Sequence, residues 1–236
     1  MSMRVLLISP NSSRLIVVPP PIGLATLAAR LQRAGYEVEL FDFMFKDEPL
    51  QDLQRRLKKF NPTLVGLSIR NIDDQDSIKP TQFLPLYREV TDVIRQARPK
   101  VPLALGGPGF SMFSKSLMSE LKADYGIIGE GEEVFIELVE KLSKGENWES
   151  SVSVHRVSHK DLSIADVSTW IELSRYYETR STTGVPGTIP IEISRGCPKK
   201  CIYCTTPNVQ GDVHRSFSPK EVVDTVERFS REFGFR

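Results

Sequence analysis

Short apolar runs, each followed by a stretch with helical spacing, recur five times in the first 145 residues or so, and this alternation limits the chain to very few folds. Arg4 to Ser9 (RVLLIS) is a continuous apolar run of strand length that ends in the turn-forming Pro10-Asn11-Ser12-Ser13. Ile22 to Ala34 starts after Pro19-Pro20-Pro21, puts Leu24, Leu27, Ala28 and Leu31 on one helical face, and stops at Gly35. Tyr36 to Phe43 is the second strand, Leu50 to Phe60 the second helix, and Thr63 to Ser68 the third strand. The unit repeats with a helix over Leu84 to Ala97, a strand over Pro102 to Leu105, a helix over Ser114 to Leu121, a strand over Tyr125 to Ile128 and a helix over Glu133 to Lys144.

Strands that read as nearly continuous apolar runs are those of a parallel sheet covered on both faces. The expected class is therefore α/β, a doubly wound parallel five-stranded sheet over residues 1–144. Ligands of such sheets bind beyond the carboxyl ends of the strands, at the topological switch point. The loops at Pro10, Ser68, Gly106 and Gly129 should converge there.

Periodicity fades after Gly145, and residues 145–188 read as a linker with some local order. Ile189 to Ser194 resumes as a strand, three cysteines follow, and Pro219 to Phe233 has the spacing of an amphipathic helix. With 31 basic against 30 acidic residues, the chain has no general attraction for nucleic acid or anionic lipid. No apolar run approaches the roughly 18 to 20 residues that span a bilayer. A soluble, cytoplasmic protein is expected.

The three cysteines all lie within eight positions, in Arg195-Gly196-Cys197-Pro198-Lys199-Lys200-Cys201-Ile202-Tyr203-Cys204. An odd number so tightly grouped is no disulfide framework, whereas one loop could wrap three thiolates around a single inorganic centre. Soft thiolates select zinc or an iron-sulfur cluster. Zinc would want a fourth ligand such as His214, and a cluster would keep one open corner. Free thiols are the third possibility.

This CxxxCxxC loop, set after a strand, preceded by Ser194-Arg195-Gly196 and carrying Tyr203 before its last cysteine, resembles that of the radical S-adenosylmethionine (SAM) superfamily. The resemblance implies that Cys197, Cys201 and Cys204 hold a 4Fe-4S cluster whose open iron binds SAM. It also implies that reductive cleavage of SAM yields a 5'-deoxyadenosyl radical, and that Tyr203 packs near the adenine. The amino-terminal half, with Pro20-Pro21-Ile22-Gly23-Leu24, a Gly106-Gly107-Pro108 turn and Gly129-Glu130-Gly131-Glu132, resembles the flavodoxin-like cobalamin-binding domain that precedes many radical SAM domains. By that resemblance Ser9, Pro10, Asn11, Ser68, Arg70, Asn71, Asp73, Gly106, Gly107, Pro108, Gly129, Glu130 and Gly131 are candidate cobalamin contacts. Glycines at strand ends let the backbone approach a flat, bulky ligand. The loop from Pro10 to Pro21 contains no histidine, so axial imidazole ligation is not expected, and Leu15, Ile16, Val17 and Val18 are placed beneath the corrin.

The family's commonest chemistry is methylation of an unactivated carbon of a small-molecule or natural-product substrate, with electrons from a donor such as flavodoxin or ferredoxin. Residues 189–236 supply only the first strand-helix unit of the partial barrel such enzymes need, about six units by analogy with the eight-unit barrel. The chain is thus expected to be the amino-terminal part of a longer enzyme and inactive alone. Two alternatives stand beside this: a non-catalytic corrinoid-binding or sensing module, and a radical SAM enzyme whose amino-terminal domain no longer binds cobalamin.

Overall fold

The computed structural model describes residues 3–14, 17–74, 76–148, 152–154, 162 and 164–234. Of the residues placed beneath the corrin, Leu15 and Ile16 lie outside them. The sheet is built from β1 (Arg4–Ser9), β2 (Glu37–Asp42), β3 (Leu64–Ser68), β4 (Leu103–Gly106), β5 (Tyr125–Ile128) and β6 (Val152–Val154). Its order is β2-β1-β3-β4-β5-β6 and every pairing is parallel. The five expected strands are all present, and β6 adds a sixth at the edge, from the stretch read as a linker. Three residues are too few to stand out as an apolar run, and only pairing with β5 defines them.

Val5, Leu6, Leu7 and Ile8 are wholly buried, because β1 lies between β2 and β3 with helices on both faces. On one face α1 (Ile22–Arg33) and α5 (Glu132–Ser143) close over Leu7, Leu64, Ala104 and Ile127 through Leu27, Leu31, Phe135 and Leu138. On the other, α2 (Pro49–Phe60), α3 (Leu84–Ala97) and α4 (Pro108–Glu120) cover Leu6, Ile8, Leu67 and Leu105. Helix α1 stops where Gly35, at φ +89°, turns the chain so that the Tyr36 N–H donates back to Leu31 O.

Helix α4 begins six residues before the expected Ser114. Pro108 sits in its first turn, where a missing N–H costs nothing, and the carbonyls of Ile69 and Arg70 accept the next free N–H, that of Gly109. The backbone leaves helical geometry at Phe113 (φ −126°, ψ 31°), so the helical spacing is regular only after that residue.

Beyond β6, helix α6 (Leu173–Glu178) packs Leu173 and Tyr176, with Val167 and Ile171, against Val18, Ala25 and Met44 of the sheet domain. Helix α8 (Pro219–Phe233) joins the same cluster through Phe229. The expected strand over Ile189 to Ser194 is regular only as β7 (Ser194–Arg195), where β8 (Arg215–Ser216) supplies an antiparallel partner. Between them lie the cysteines and the short α7 (Thr206–Gln210).

Candidate functional site

Because β2 lies on one side of β1 and β3 on the other, the loops leaving β1 and β3 turn opposite ways and open a crevice at the carboxyl edge of the sheet. A cleft of about 480 Å³ occupies that position. It is lined by Ser9, Pro10 and Asn11 after β1, Ser68 and Arg70 after β3, Gly106, Gly107 and Pro108 after β4, and Gly129, Glu130 and Gly131 after β5. All four loops singled out in the sequence therefore meet there. Asn71 and Asp73 do not line it. Asn71 turns its carbonyl to the Tyr87 hydroxyl, which donates at 2.6 Å, and Asp73 pairs in a β-bridge with Gln82. Burial pushes the Tyr87 phenol up to about 12.

The cleft also runs inward along Leu7, Gly66, Ala104, Ile127 and Phe135, which makes its depth apolar. Pro19 to Leu24 form another wall. At the rim Gly107 adopts φ +99°, and a Cβ there would stand 2.7 Å from Ile69 O and 3.0 Å from Ser68 Oγ. Only glycine lets the β4 loop lie this close to the β3 loop.

A cluster of buried charges closes the far side of the cleft. Arg195 donates to Glu192 Oε2 at 2.8 and 3.0 Å and to Glu130 Oε2 at 3.3 Å, and its Nη2 lies 2.8 Å from Glu132 Oε1. Arg215 donates to both oxygens of Glu130 and to Gln210 O. The four side chains of Arg195, Arg215, Glu130 and Glu132 are 9 to 12% exposed, so these contacts are shielded from water. Burial alone would raise the Glu132 carboxyl, but the charge and hydrogen bond of Arg195 hold it below the usual range. The carboxylates come from the loop after β5 and the amino end of α5, and the arginines flank the cysteine loop. The sequence offered one signal for this, the acidic Gly-Glu-Gly-Glu turn, but nothing in it pointed to Arg215 or to the role of Arg195.

The cysteine loop is closed at its base by β7 and β8. Gly196, at φ +75°, passes so close to Val213 O that no side chain fits, and the Cys197 N–H donates to Gly211 O at 3.1 Å. Cys197 and Cys204 are half-buried and Cys201 is exposed. Cys204 Sγ lies 3.3 Å from Thr206 Oγ1, a hydroxyl that donates to the sulfur once the thiol ionises and so holds the Cys204 pKa below the ordinary thiol value. Tyr203 is 85% exposed, which rules out packing in a core. Among the described residues no three His, Cys, Asp or Glu side chains form a ready metal-binding group. The donor set, three soft sulfurs on one loop with no histidine, suits an iron-sulfur cluster, on which the sulfurs would close.

Residues 16–139 match the family of the B12 binding domain, which is more than half of the chain. The chain belongs to the B12-binding domain family. The match takes in β2 to β5 and the loops that line the cleft after β3, β4 and β5. An uncharacterized methyltransferase of Pyrococcus horikoshii is 26% identical over 252 residues, covering 99% of this chain and 52% of that protein. Tryptophan 2-C-methyltransferase of Streptomyces laurentii is 31% identical over 144 residues, covering 60% of this chain and 23% of that protein. The solved structure of the radical SAM methyltransferase TsrM from Kitasatospora setae, with cobalamin and a 4Fe-4S cluster bound, superposes with a TM-score of 0.74 at 26% identity, over 98% of this chain and 46% of that one. The cobalamin-dependent SAM radical enzyme OxsB shares the fold, with a TM-score of 0.70 at 15% identity. The B12-binding domain and its cysteine tail thus span about half the length of the Pyrococcus relative and of TsrM.

Proposed function

We propose that this chain is the amino-terminal part of a cobalamin-dependent radical SAM enzyme that transfers a methyl group to an unactivated carbon of a small molecule. The observation that carries this is a shared wall. Arg195, two residues before Cys197, lines the B12-type cleft and is bonded to Glu130 of the loop after β5 and to Glu132 at the start of α5, which close it. A corrinoid in the cleft and a cluster on the cysteines would therefore stand side by side. The likeness to TsrM over both parts of the chain supports the same reading.

Cys197, Cys201 and Cys204 would hold the 4Fe-4S cluster, and the cleft residues after β1, β3, β4 and β5 would hold the cobalamin. When bound, these groups and SAM supply one-electron bond cleavage and a methyl donor. The protein's own residues bind and orient them. Gly107 lets the β4 loop fit under a flat ligand, the apolar depth excludes water, and the exposed Tyr203 ring is free to stack on an adenine. Among the described residues no histidine lines the cleft, which supports a corrinoid held there without an imidazole from those residues. In this reading residues 1–144 form the corrinoid unit, 145–188 join it to the rest while adding β6 and α6, and 189–236 open the radical domain. A cytoplasmic setting and a flavodoxin- or ferredoxin-type electron donor accompany it.

The test is anaerobic. Titration with hydroxocobalamin followed by desalting should leave stoichiometric corrinoid on the chain, with a reduced-state spectrum lacking imidazole ligation. Reconstitution with iron and sulfide should load about four irons per chain, and Cys201→Ala should lose most of them. Failure to retain corrinoid would make the domain a docking module, and equal iron in the variant would remove the cluster from these cysteines.

A further inference from the structure

Among the described residues, five charged side chains line the cleft: Arg70, Glu130, Glu132, Glu192 and Arg195. Four of them are bound to one another in the buried cluster behind the β5 loop. The fifth, Arg70, has no hydrogen bond or ion pair from its guanidinium among the described residues. Its backbone is nonetheless fixed, because the Arg70 carbonyl accepts the Gly109 N–H at 3.0 Å and a Cβ on Gly109 would stand 3.1 Å from it. The packing of Gly107 against Ile69 O secures the same loop from the β4 side. Arg70 is thus a cation on an anchored backbone, set at the exit of β3 between the β1 and β4 loops, at the mouth of an otherwise apolar cavity whose other charges are consumed.

A guanidinium in that setting calls for an anion with paired oxygens. Resting on the reading of the cleft as a corrinoid site, we infer that Arg70 binds the phosphodiester of the cobalamin nucleotide tail and so selects complete cobalamins over corrinoids that lack the tail. The corrin side chains end in neutral amides, and the phosphodiester is the anionic group of the tail. The apolar depth along Leu7, Gly66 and Phe135 gives the attached base a place beyond it.

The test compares hydroxocobalamin with cobinamide, which has the ring and no phosphodiester tail, on the wild-type chain, Arg70→Gln and Arg70→Lys. Far-UV circular dichroism and melting temperature confirm that each variant is folded. Arg70→Gln should weaken cobalamin binding about tenfold or more while leaving cobinamide affinity unchanged, and Arg70→Lys should recover part of the loss. Added salt should weaken wild-type cobalamin binding more than that of Arg70→Gln. Equal loss for both corrinoids would make Arg70 a support of the ring or of the loop, and no loss for either would assign it to a substrate anion. Each result overturns the inference while the corrinoid site stands. A wild-type chain that retains neither corrinoid would remove the corrinoid reading itself, and the inference with it.

Discussion

Gly107 shows how much a single position decides. Its φ of +99° is open to glycine, and a Cβ would meet both a carbonyl and a hydroxyl of the neighbouring loop. Gly107→Ala should lower stability by about 1 to 3 kcal/mol, read as a shift of the urea midpoint without change of slope. An unchanged midpoint would mean that the two loops separate freely. The Gly106-Gly107 pair was legible in the sequence only in company: alone it could be a plain tight turn, and its place at a strand end among the other loops is what marked it. Glu130 was legible only as a cleft residue. Its carboxylate is spent on Arg195 and Arg215, partners 65 and 85 positions away, and no local pattern encodes a contact at that range. Asn71 and Asp73 failed as cleft contacts because a short bridge between Asp73 and Gln82 folds that loop back on itself.

At the scale of elements, the first five strands and most helix ends could be read from apolar runs and their breakers. The exceptions have physical causes: α4 starts early because carbonyls of the loop after β3 receive its first free N–H, and β6 exists only through its neighbour. Helix α6 is the clearest case of an element without a signal. Its six residues sit in a polar stretch, and what holds them is tertiary: Leu173 and Tyr176 are buried against the sheet domain, and the Tyr176 hydroxyl donates to Asp42 at the end of β2. Burial raises the Asp42 carboxyl, so the hydroxyl is one of the few groups that favour its charged form. Tyr176→Phe should destabilise the chain by about 1 to 3 kcal/mol at neutral pH, measured by urea unfolding, because the carboxylate is left buried with one donor fewer. No loss would show that α6 is a surface ornament rather than part of the fold.

For the molecule as a whole, the buried charges join its two halves, and their protonation should set how well the halves hold together. Glu132 has its pKa lowered by folding, so its contribution is complete above the ordinary value of 4.5 and drains away as pH falls through that value and the lowered one. Acid should therefore weaken the wild-type chain more steeply between about pH 5 and pH 3 than it weakens Glu132→Gln, when urea midpoints are compared at each pH. Parallel acid limbs would show that Arg195 does not depend on this carboxylate.

The same cluster imposes an order of events on a ribosome. Glu130 and Glu132 leave the tunnel long before Arg195 and Arg215, and until those arginines arrive both carboxylates must remain hydrated at the edge of an unfinished cleft. A nascent chain that has released β6 but not yet Arg195 has all its sheet strands but also a wet, acidic gate, and dry closure of the cavity waits for the segment that carries the cysteines. Any ligand of the cleft would then meet its dry wall only after the cysteine loop has been made.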